Sequence, residues 1–68
     1  MQLRDWLLEN DLTYTAAAEL FECSRPAVYY YAIGRMRPGA RITANIMRQT
    51  GGEVTADDHQ FAYMQAQQ

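Results

Sequence analysis

An all-α fold, a bundle of four to five short helices, is what this sequence predicts, on three observations. Apolar residues recur at spacings of three and four. Hydroxyl residues suited to capping stand just ahead of several of these runs. No stretch alternates strictly between apolar and polar residues, as a half-buried strand would; a short strand near Glu53–Thr55 is the only competing feature. At 68 residues, 49% of them hydrophobic, the chain makes one ordered domain. A domain of this size buries only roughly 60% of its unfolded surface, so it gains stability from a partner.

Leu3, Trp6, Leu7 and Leu8 place a first helix over 2–10, ended by the turn-formers Asn10 and Asp11. Thr13 is suited to cap a second helix, which runs through Ala16–Ala18 to Phe21; alanine favours the helix and permits close packing. Ser24 caps a third, with Pro26 in its first turn, where a missing amide costs no hydrogen bond. Gly34 stops that helix after about Ile33. Beyond a loop at Arg35–Gly39, a fourth helix over about 40–49 carries Ile42, Ile46 and Met47 on one side and ends at Thr50-Gly51-Gly52. Thr55 with Asp57 and Asp58 reads as the start of a short fifth helix, because acids favour a helix N-terminus. The domain is thus expected to span 1–58, with 59–68 a frayed or dimer-contacting tail.

Several classes of function are disfavoured. The single cysteine, Cys23, forms no internal disulfide and no Cys-x-x-Cys knuckle, and it reads as a small buried hydrophobe. The lone His59, beside Asp57 and Asp58, reads as an exposed helix residue, so neither metal nor cofactor is expected. Apolar runs are too short for a membrane span or a signal-peptide core, which points to a cytoplasmic chain with no membrane partner. Ser24 and Cys23 have no nearby histidine and no carboxylates pair up, so an enzyme is not expected, nor is a small-molecule ligand.

The charge is −2 overall, but it is segregated. Residues 1–23 set Arg4 against five acids, residues 24–52 carry five arginines and no acid, and residues 53–68 carry three acids. Where charge sits matters more than its sum when a surface meets a phosphate backbone. All six basic residues are arginines, whose planar fork engages phosphates and guanine edges with two hydrogen bonds at once.

The second and third helices are joined by Glu22, Cys23 and Ser24, the length of a helix-turn-helix connection. The run YTAAAELFECSRPAVYYYAI resembles the helix-turn-helix of the phage Cro and lambda-repressor superfamily, and the segment from Arg35 through TANIMRQTGGEVTADD resembles short Cro-like proteins. The family's buried positions fall on Ala17, Ala18, Phe21, Cys23, Val28 and Tyr31, with the small residue at the helix crossing on Ala18. Two positions depart from the pattern. The turn glycine is Glu22, where positive φ costs on the order of 1 kcal/mol, and Tyr31 stands where a smaller aliphatic or tryptophan is usual.

Helical spacing puts Arg25, Pro26, Tyr29 and Tyr30 opposite Val28 and Tyr31, and the resemblance assigns base contact to the same four positions. Arg25 suits a guanine edge, and Pro26 and Tyr29 a thymine methyl. Tyr14 and Thr15 fall where the family contacts a phosphate, joined by Ser24 at the start of the reading helix and by Arg35 and Arg37 just past it as backbone clamps. Arg41 and Arg48 read as solvated charges. Val54, Phe61, Tyr63 and Met64 are the expected dimer surface. The resemblance implies a sequence-specific repressor, a homodimer on a palindromic operator of double-stranded DNA in the bacterial cytoplasm and nucleoid. The alternative is a protein-interaction module on the same fold, such as an antitoxin or anti-regulator, favoured by the tyrosine-rich face.

Overall fold

Five helices follow in order in the computed structural model, which describes residues 1–68: α1 (Leu3–Glu9), α2 (Tyr14–Phe21), α3 (Arg25–Ile33), α4 (Ala40–Gln49) and α5 (Ala56–Ala66). No strand forms, and no helix is long and apolar enough to cross a membrane. One core draws on the first four helices and on the link to the fifth. Leu3, Trp6 and Leu7 meet Ala17, Ala18 and Phe21, then Val28 and Tyr31, Ile42 and Ile46, and finally Val54. Phe21 lies at the centre, fully buried, with its ring 6.2 Å from that of Trp6. The paired alanines of α2 let α3 approach closely, since neither side chain extends beyond Cβ.

Most helix ends are closed by the residues the chain places there. Thr13 Oγ1 accepts the Ala16 amide at 3.1 Å, and Ser24 Oγ accepts that of Ala27 at 3.2 Å. Thr55 and Asp58 form a reciprocal capping box, with the Thr55 amide donating to Asp58 Oδ2 at 2.8 Å and the Asp58 amide donating to Thr55 Oγ1.

Four features stand out from α4 onward; the second agrees with the all-helical reading and the others correct an expectation. First, α4 turns Asn45 inward with Ile42 and Ile46, and Met47 faces outward. Positions 42, 45 and 46 share one stripe, and residue 47 lies 100° further round. Buried Asn45 is satisfied: its Nδ2 donates to the Phe21 carbonyl at 3.1 Å and its Oδ1 accepts from Arg48 at 2.7 Å. Second, Glu53–Thr55 is a pinned link in place of a strand. Thr50 Oγ1 accepts the Val54 amide, and the Glu53 carboxylate accepts from Trp6 Nε1 at 3.2 Å. Third, Val54 is 0% exposed and belongs to the core, so it forms no part of a dimer surface. Fourth, α5 is the longest helix, not a frayed tail, and the boundary drawn at residue 58 falls inside it. His59, expected at the surface, is buried.

Gly34 explains how α5 packs. It ends α3 at φ +80°, and a Cβ there would lie 2.3 Å from the Ala62 carbonyl oxygen. The contact between α3 and α5 is therefore backbone against small residues, Gly34 with Ala62 and Ala66. Such a contact leaves almost no hydrophobic periodicity for a sequence to display.

Candidate nucleic-acid interface

The turn between α2 and α3 is set by Glu22, at φ 61° and ψ 48°. Its left-handed backbone lets the Cys23 amide donate back to the Ala18 carbonyl at 3.0 Å, so α2 is closed as a glycine would close it. The chain then reverses into α3 through the Ser24 cap.

From this point the phase of α3 decides which side chains face out. Val28, Tyr31 and Ala32 are buried, and Arg25, Pro26, Tyr29 and Tyr30 are exposed. These four line a shallow concavity of about 300 Å³ together with Tyr14 from α2. The tyrosines form a chain of ring contacts, with Tyr14 edge-on to Tyr29 at 5.6 Å and Tyr29 tilted against Tyr30 at 5.7 Å. Tyr14, expected only at a phosphate, thus also buttresses Tyr29.

Beside it lies a larger cleft of about 520 Å³, whose lining includes Arg25 of α3 and Arg4 of α1. Leu7, Leu8 and Leu12 give it apolar lining, and Thr13–Thr15 contribute the start of α2. Of the amides opening α2, that of Ala16 is taken by the Thr13 hydroxyl and that of Ala17 by the Thr13 carbonyl, which leaves those of Tyr14 and Thr15 without an acceptor. Ser24 is exposed at the start of α3 and Arg35 just past its end.

Arg37 does not join this set. Its guanidinium donates to Gln60 at 2.7 Å and lies 4.6 Å from the centre of the Tyr63 ring, which ties it to α5. It lines neither cleft of the α3 face. Tyr63, named for the dimer surface, is half-buried beneath it, and Phe61 and Met64 remain 56% and 57% exposed. The positive charge of Arg41 lowers the pKa of both Cys23 and Tyr31, against the larger effect of burial.

No arginine lies within 4 Å of a carboxylate; the single ion pair joins the N-terminal ammonium to Asp58 at 3.0 Å. The guanidinium charge of α1 and α3 is therefore not neutralised within the molecule. Burial pushes the Cys23 thiol upward, partly offset by Arg41, so it stays protonated near neutrality and packs as a small hydrophobe against the core. Burial likewise raises the Tyr31 hydroxyl.

Sequence reasoning missed Arg4, which stands in an acidic segment and comes to line a cleft with Arg25 only through the fold. Its one available signal was being the sole cation among five acids. Compared with protein-family models, curated proteins and solved structures, the chain matches none.

Proposed function

We propose that this chain binds double-stranded DNA, with α3 entering the major groove. More particularly, it is a Cro-like repressor of phage type, acting as a homodimer on a palindromic operator in the bacterial cytoplasm and nucleoid. One observation carries the reading: α3 turns Arg25, Pro26, Tyr29 and Tyr30 outward together while its other face is sealed into the core. A nine-residue helix is about 13 Å long, and the major groove is roughly 12 Å wide, so its N-terminal half can present Arg25 to base edges. The free amides of Tyr14 and Thr15, with Ser24 and Arg35, suit backbone phosphates on either side. One reading head makes few base contacts, and two related by a two-fold axis would sit about 34 Å apart on the duplex.

Selection of preferred sites from random duplex tests the reading. Palindromic sites are expected, and Arg25→Ala is expected to weaken binding to them roughly 5- to 150-fold while leaving the fold intact. Recovered sequences no better than random duplex would remove the proposal. They would favour the protein-interaction reading, which the Tyr14–Tyr29–Tyr30 ring cluster supports because tyrosine is enriched at protein interfaces.

A further inference from the structure

We infer that Tyr14 is a positioning residue for base reading, whose ring braces Tyr29 so that Tyr29 covers a thymine methyl group in the major groove. This rests on the DNA-binding reading above, in which Tyr14 contributes only its backbone amide. Tyr14 is half-buried on α2 and packs against the core, which fixes its ring. Tyr29 stands on α3 with 43% of its surface exposed. The two rings meet at 5.6 Å and 73°, an edge-to-face pair that joins α2 to the reading face of α3. Tyr30 closes on Tyr29 as well, at 5.7 Å and 56°. Consecutive positions on a helix do not ordinarily face each other, so this contact marks two rings turned together.

An unbraced tyrosine on the surface of a helix exchanges between rotamers, and a complex that needs one of them must stop that exchange. Here the exchange is already restricted in the free protein. The concavity on α3 is lined by Tyr14, Arg25, Pro26, Tyr29 and Tyr30. Four of the five are rings, and Arg25 alone is a long flexible chain. A wall of rings is apolar along most of its surface, and the apolar mark that a base pair shows in the major groove is the C5-methyl of thymine. Arg25 and Tyr29 are four positions apart and share one face of α3. A guanine read by Arg25 and a methyl covered by Tyr29 therefore lie close together in the groove. Arg25 adapts to its base, whereas Tyr29 is set in place before DNA arrives.

Such bracing couples Tyr14 to a single methyl group on the DNA. Affinity of the full chain would be followed by fluorescence anisotropy on the operator recovered by site selection, with each thymine of the half-site replaced in turn by uracil. Losing the methyl that Tyr29 covers is expected to weaken wild-type binding about 4-fold. Tyr29→Ala identifies that position by abolishing the difference there. Tyr14→Ala is expected to weaken binding to the thymine operator roughly 2- to 10-fold and to bring the thymine-to-uracil ratio towards one, with the guanine preference of Arg25 kept. Tyr14→Phe, which keeps the ring and removes the hydroxyl, should behave as wild type. Because Tyr14 packs against the core, Tyr14→Leu is measured as well; it keeps apolar bulk without an aromatic edge and should narrow the ratio in the same way. An undiminished ratio in Tyr14→Leu would overturn the inference. So would an equal loss in Tyr14→Phe, which would place the hydroxyl on a phosphate, or the absence of any thymine whose methyl effect depends on Tyr29. Operator binding survives each of those results. A wild-type chain that prefers no duplex would overturn the DNA-binding reading and this inference with it.

Discussion

Glu22 occupies a backbone conformation that side chains with a Cβ adopt only at a cost, and it does so at the turn that sets α3 against α2. Its carboxylate makes no hydrogen bond or ion pair in return. Glu22→Gly should therefore stabilise the fold by on the order of 1 kcal/mol, raising Tm by about 4–8 °C. A lower Tm would show that Glu22 is held there by an interaction the turn geometry does not reveal. His59 carries a different cost. Its Nε2 is buried without a partner, and burial lowers its pKa below the usual 6.5, against the opposing pull of Asp58; Arg37 and Thr43 line the same cleft. The unfolded chain then takes up a proton more readily than the folded one, so stability declines as pH falls below about 6.5. Asp58 acts in a lower window. Burial raises its pKa, but hydrogen bonds from Thr55 and the N-terminal ammonium more than compensate, and its contribution is lost only on acidification below 3.8. Urea midpoints at pH 7.5 and 5.5 should therefore fall for the wild type and fall less for His59→Gln. An equal fall would assign the loss elsewhere.

Helices α1 to α4 are legible in the sequence because their signals are local: an apolar stripe and a stop residue in each, joined by a hydroxyl cap in α2 and α3. The outward set on α3 is legible for the same reason, since burying Val28 and Tyr31 fixes the phase of Arg25 and Tyr29. What escapes is whatever depends on one element meeting another. The reach of α5 rests on Gly34 admitting the Ala62 carbonyl, and the burial of Val54 and His59 on where that helix docks. The position of Arg37 just past α3 suggests a DNA clamp, but a flexible arginine goes where partners stand, here Gln60 and Tyr63. Asn45 has no apolar signature at all, and its place in the core comes from the Phe21 carbonyl it satisfies. The α3–α5 junction gives the sharpest test at this scale. Gly34→Ala combines backbone strain of roughly 1–3 kcal/mol with a Cβ 2.3 Å from a carbonyl oxygen of the neighbouring helix. The expected loss exceeds 2 kcal/mol, read as a lower urea midpoint with early loss of α5 protection in hydrogen exchange. Wild-type stability would mean that α5 does not sit against Gly34.

For the whole molecule, the proposal pairs two copies on a palindromic operator. With Val54 in the core and Tyr63 half-covered by Arg37, the apolar surface left on α5 is Phe61 and Met64. They stand three residues apart and so share a helix face. The protomer measures 29 Å along its longest axis. Two such bodies joined through a helix that packs on α3 can bring their reading heads near the 34 Å or so between successive major-groove faces. Phe61→Glu combined with Met64→Glu should leave Tm close to wild type, because both side chains are already exposed in the protomer. The same pair of charges should abolish dimers in sedimentation equilibrium and reduce binding to a palindrome to the level seen on a single half-site. A monomeric wild type that binds the palindrome without cooperativity would remove the dimer from the proposal and leave α3 as a lone reading head. An unchanged dimer in the double variant would place the two-fold contact elsewhere, with the exposed Met47 of α4 the next surface to examine.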